Sequence, residues 1–150
     1  MPVVAMCVVI FFLSQDSHSG QHSRDVLSWL LWVVGADTHY WAQVLNAPFR
    51  KFCHVLVYFV LSVLAYRAFS MGQLRYSVKA GWRALVLCIL YAASDEYHQS
   101  FIPGRGPSVH DVIIDSCAAV LALILIWVWL WPRRPEYVAK ALAREEAVRH

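Results

Sequence analysis

The sequence predicts an all-α integral membrane protein, a four-helix transmembrane bundle with an interfacial segment between the first and second spans. Two observations carry this expectation. The chain of 150 residues is 59% hydrophobic and only 15% charged, with a mean hydropathy of +0.49, too apolar for a water-soluble domain of that size. The run from Val109 to Trp131 has no charges beyond Asp111 and Asp115 near its start. At about 1.5 Å per residue, a helix over that run covers a hydrocarbon core of roughly 30 Å. The composition argues against a secreted disulfide scaffold, a disordered chain and a nucleic-acid binder, and it leaves an enzyme open.

The elements follow in order. The first span, about 1–15, is apolar from Val3 to Leu13, but that stretch rises only about 20 Å. It must thin the bilayer, continue into Ser14 and Gln15, or follow an upstream start. A signal peptide fits worse, because neither a basic leading region nor a small-residue cleavage site precedes Gln15. From Ser23 to Phe49 the chain carries Trp29, Leu30, Trp32, Val33, Tyr40, Trp41 and Val44, broken by Gly35, Asp37 and Asn46. Trp and Tyr at that density favour the headgroup layer; an amphipathic loop packed on the bundle uses most of the same residues. The second span covers 52–69, the third 82–101 and the fourth 109–131, the last two joined by a tight Pro103-Gly104-Arg105-Gly106-Pro107 turn. Residues 1–132 thus form the transmembrane domain, and 133–150 a polar tail expected to be a solvated helix.

Charge gives the sidedness. Arg67, Arg75, Lys79 and Arg83 lie in or beside one loop, and Arg133, Arg134, Lys140, Arg144 and Arg149 in the tail. The positive-inside rule makes that face cytoplasmic, with both termini inside, as for a multi-pass protein of the bacterial inner membrane. Asp16, Asp25, Asp37, Asp95, Glu96, Asp111 and Asp115 fall on or near the outer side. Cys7, Cys53, Cys88 and Cys117 sit in apolar segments without paired spacing and read as small buried hydrophobes.

Ionisable groups at membrane depth are costly, so each needs a partner or a purpose. Lys51, His54 and Tyr58 share one helical face at spacings of three and four; Lys51 also suits a snorkelling anchor. Asp95, His98 and Gln99 share a face at the end of the third span, and Glu96 projects about 100° away. Two adjacent carboxylates oppose the dipole at a helix C-terminus, a mismatch that favours function. Arg105 brings a guanidinium fork suited to a carboxylate or a phosphate. Ser108 followed by Asp111 is a capping-box pattern. Asp115, one turn deeper, has no capping role, and His54, Lys51 or Arg105 is the expected partner of either acid.

At these positions the sequence resembles the VanZ-like family of small integral membrane proteins, named after a teicoplanin-resistance protein. The resemblance rests on Phe12-Leu13-Ser14-Gln15, Lys51-x-x-His54-x-x-x-Tyr58, Asp95-Glu96-x-His98-Gln99, and Pro103-Gly104-Arg105 followed by Asp111 and Asp115. Asp115 stands where many members have Asn, and Ala118 where Gly is usual. The resemblance implies a membrane fold more firmly than a reaction.

Two functions from different classes fit the residues. In the first, a membrane enzyme of envelope metabolism acts on a lipid-linked or phosphate-bearing substrate at the outer leaflet. His54 or Glu96 is then the general base, Asp95 and Asp111 orient it or hold a divalent metal, and Lys51 and Arg105 bind the anion, with Tyr58, His98, Gln99 and Asp115 completing the site. In the second, a non-catalytic protein binds a lipid or a lipoglycopeptide, and the polar cluster clamps the helices. A proton pathway ranks last, since no relay continues through the inner half of the bilayer.

Overall fold

The computed structural model describes residues 2–15, 19–71, 77–102, 106, 108–131 and 139. Among these the chain is all-α: α1 (Pro2–Gln15), α2 (Ser19–Val33), α3 (Thr38–Phe69), α4 (Val78–Gln99) and α5 (Val109–Leu130). The expected polar tail lies outside the described residues, apart from Ala139.

Small residues decide how the helices meet. Ala80, Ala84, Cys88 and Ala92 recur every four residues on α4 and are buried, as are Ala118, Ala119 and Ala122 on α5. Such stripes let backbones approach closely. Gly81 is the tightest case: a Cβ there would fall on the Trp127 ring. Where backbones come this close, polar side chains can bond across them, and Ser62 of α3 donates to the Ala119 carbonyl of α5 at 3.0 Å. Large side chains such as Leu90, Leu121, Ile124 and Val128 point outward, the inverse of a water-soluble core and the arrangement a hydrocarbon solvent favours.

The core has two layers. In one, Ile10 of α1 joins Tyr58 and Leu61, Cys88 and Ala92, and Ala118 and Ala119. In the other, Ala65 and Tyr66, Ala80 and Ala84, and Leu123 and Leu130 close α3, α4 and α5 without α1. Helix α1 packs on α3 and α4, its Cys7 carbonyl accepting from the Tyr91 hydroxyl at 2.5 Å. The four expected spans therefore become three mutually packed helices with a shorter fourth along one side.

The segment between the first two expected spans is helical rather than irregular. Helix α2 ends in a reciprocal cap: Ala36 N–H donates to the Leu31 carbonyl and Gly35 N–H to that of Trp32, both at 3.0 Å, with Gly35 at φ 74°. Asp37 Oδ1 then accepts from Tyr40 N–H at 3.3 Å and starts α3. The chain folds back, Ser23 donating to Asn46 Oδ1 at 2.7 Å and Leu27 and Ala42 becoming buried. Helix α3 thus begins at Thr38 rather than near 52, and continues through Pro48.

Among the described residues, two helices are long and apolar enough to cross a membrane, Tyr40–Phe69 within α3 and Val109–Leu130. Helix α4 has the length, but Lys79, Arg83, Asp95 and Glu96 sit toward its two ends. Helix α1 is apolar and short.

Candidate functional site

The last turns of α1 and α4, the first turns of α5 and the middle of α3 meet at one end of the bundle. Ser77 and Ser108 cap α4 and α5 through side chains that accept from Ala80 and Asp111 N–H, each at 3.2 Å. A capping box would return the acid of the third position to the cap's own N–H. Here Glu96 of α4 takes that place, its Oε2 accepting from Ser108 N–H at 2.8 Å. Glu96 thus leaves the unfavourable end of its own helix dipole for the favourable end of the next. Asp111 is freed and lies 3.2 Å from Lys51 Nζ, an ion pair without hydrogen-bond alignment.

Asp95 is held differently. Its Oδ2 accepts from Ser14 Oγ–H at 2.7 Å and from Gln99 Nε2 at 3.1 Å, and Gln99 also donates to Ser14 Oγ at 3.0 Å. This triangle ties α1 to α4. His98, expected on the face of Asp95 and Gln99, instead stacks on Phe11, ring centroids 4.9 Å apart, and does not line the cavity below.

His54 faces Asp115, Nδ1 to Oδ2 3.6 Å. Asp115 is almost wholly buried, and its Oδ1 has no hydrogen-bond partner among the described residues. The hydroxyl of Tyr58, one turn below His54, is likewise buried without a partner among them. Buried polar atoms in this condition mark a place for water or a ligand group.

Between these helices lies a cavity of about 150 Å³. Arg50, Lys51 and His54 of α3 form one wall, Glu96 and Gln99 of α4 a second, and Asp111 and Asp115 of α5 a third. The structure thus gathers Lys51, His54, Glu96, Gln99, Asp111 and Asp115. It places Asp95 behind the wall, Tyr58 beneath it and His98 outside, while Arg105 lies outside the described residues. Arg50 and the Ser14 bond to Asp95 were not anticipated. Arg50 precedes His54 by four residues, a signal readable once α3 is known to extend upstream of 52.

No three His, Cys, Asp or Glu side chains converge to hold a metal ion among the described residues. What the arrangement does offer is an imidazole whose Nδ1 lies 3.6 Å from a buried carboxylate, an ion-pair distance rather than a hydrogen bond, beside two cations that suit an anion.

Fold and site define a small all-α protein with an ionic cavity where its helices meet. The chain belongs to the VanZ/LLP1 family, whose sequence pattern matches residues 1–130. No curated protein and no solved structure matches it.

Proposed function

We propose that this is a multi-pass protein of the bacterial inner membrane that binds a lipid-linked or phosphate-bearing envelope component in the ionic cavity, at the outer leaflet, and acts on it through His54. The observation that carries the reading is the His54–Asp115 pair, 3.6 Å apart, opening onto a cavity it shares with Arg50 and Lys51.

The membrane placement is supported by outward large apolar residues and inward small ones, and by exposed Trp82, Trp129 and Trp131 near one end of the bundle. Arg67, Lys79 and Arg83 lie toward that end, and by the positive-inside rule we read it as cytoplasmic, with the cavity facing out and, as the sequence leads one to expect, both termini inside.

In this reading Lys51 and Arg50 bind the anionic group, the guanidinium as a fork and the ammonium as a point charge. Asp115 orients His54, whose Nε2 takes a proton from a water attacking the bound phosphate ester; the bond from phosphorus to the leaving oxygen breaks and the imidazolium returns the proton to that oxygen, a role worth about 10²–10⁴-fold in rate. Asp111 holds Lys51 in place, and Glu96 fixes the α4–α5 corner.

The test is a set of variants at His54, Asp115 and Lys51 expressed in a host lacking the native protein. They are scored for membrane abundance, for teicoplanin susceptibility, and for phosphorus-31 spectra of extracted lipids. Loss of phenotype at unchanged abundance supports a reactive site.

A second reading, in which the polar cluster clamps the helices of a non-catalytic lipid- or lipoglycopeptide-binding protein, is favoured by the closed Ser14–Asp95–Gln99 triangle and the Glu96–Ser108 bond. It predicts that abundance and phenotype fall together.

A further inference from the structure

Where α1 does not reach, α4 keeps a face that no other described residue covers. Along it lies an apolar groove of about 680 Å³, within the roughly 300–1,000 Å³ range of small-molecule sites. Its walls are Phe69 of α3 and Trp82, Val86, Leu87 and Leu90 of α4, and Cys7 and Tyr91 stand at its upper end. The Tyr91–Cys7 bond closes that end by pinning α1 to α4.

The groove is amphiphilic along its length. Lys79, Arg83, Val86, Leu87 and Leu90 recur at spacings of three and four, so they share one face of α4. The face begins with two exposed cations and continues as hydrocarbon. From Arg83 to Ser94 it rises about 16 Å at 1.5 Å per residue, half of a hydrocarbon core of roughly 30 Å and so the depth of one leaflet. Exposed Trp82 beside Arg83 sets the headgroup level at the charged end.

We propose that this groove is a binding site for one anionic phospholipid of the leaflet at the Lys79–Arg83 end, its phosphate on Arg83 and one acyl chain along Val86, Leu87 and Leu90. Arg83 can present two N–H groups to phosphate oxygens, and Lys79 adds a second charge one turn away. The site shares no residue with the ionic cavity, and its charged mouth at Lys79 and Arg83 lies toward the other end of α4, so it goes beyond the activity proposed there.

The full chain in nanodiscs of phosphatidylcholine, titrated with phosphatidylglycerol and read by native mass spectrometry, tests this directly. One phosphatidylglycerol per chain is expected to bind in preference to phosphatidylcholine. Arg83→Gln should weaken it about tenfold or more, the loss expected of a charge-assisted bond, and Arg83→Lys should retain most of it. Val86→Trp, at a position already half exposed, should fill the groove and abolish the tight site. A benzophenone side chain at position 87 should crosslink to phosphatidylglycerol. Equal retention of the two lipids, indifference to both Arg83→Gln and Val86→Trp, or a crosslink to this chain's own residues 133–150 would overturn the proposal. His54→Gln should leave the lipid count unchanged, so this site and the cavity stand or fall separately.

Discussion

Nδ1 of His54 faces Oδ2 of Asp115 while Oδ1 of the same carboxylate has no hydrogen-bond partner among the described residues. Breaking a buried pair by removing one member costs about 3–5 kcal/mol, so truncation to Ala confuses stability with activity. Asp115→Asn keeps the volume and removes the charge; it is expected to leave abundance near wild type and to lower activity, measured by the lipid and susceptibility assays above. Glu96 makes the opposite case. Glu96→Gln keeps an acceptor for Ser108 N–H and should be tolerated, whereas Glu96→Ala orphans that donor and should cost about 1–3 kcal/mol in detergent melting. Local patterns pointed to Lys51, His54, Asp111 and Asp115, because an acid or base in or beside an apolar run needs a partner. They could not reveal that Glu96 supplies the missing half of the α5 cap, since that bond joins two helices across a turn.

Two positions test the helices themselves. Pro48 lies inside α3, where proline removes a backbone hydrogen bond and costs about 3 kcal/mol in a helix interior. Pro48→Ala is therefore expected to raise the melting temperature without moving the bundle. An unchanged or lower temperature would show that the α2–α3 hairpin depends on the proline. Gly81→Val should drive a side chain into the Trp127 ring and destabilise by about 1–3 kcal/mol, read as a lower melting temperature. The sequence read Gly35, Asp37 and Asn46 as interruptions, and that hid both hairpin helices. Gly35 and Asp37 are indeed a stop and a start, the αL cap of α2 and the N-cap of α3. Asn46 and Pro48 break nothing, because tertiary packing overrides propensity there: Asn46 accepts from Ser23 of α2, and the paired helices carry the cost of the proline. The reading that α3 begins near 52 also concealed Arg50, whose side chain joins the cavity only because the helix continues upstream.

At the scale of the whole molecule, an ionic cavity lies at one end of the bundle, and an apolar groove runs along α4 from a basic mouth near the other. The long apolar runs were legible because length and composition alone mark them; the shortfall of α1 against α4 emerges only in three dimensions. In intact cells, a thiol introduced by Phe101→Cys is expected to react with a membrane-impermeant reagent, and one at Lys79→Cys only after lysis. Reversed labelling would invert the orientation and put the ionic cavity in the cytoplasm. Whether His54 acts on an envelope lipid is tested by His54→Gln, with membrane abundance and the phosphorus-31 profile of extracted lipids measured on the same cells. Unchanged abundance with an altered lipid profile or a lost teicoplanin phenotype is expected. A variant as abundant as wild type with the wild-type profile and phenotype would contradict it.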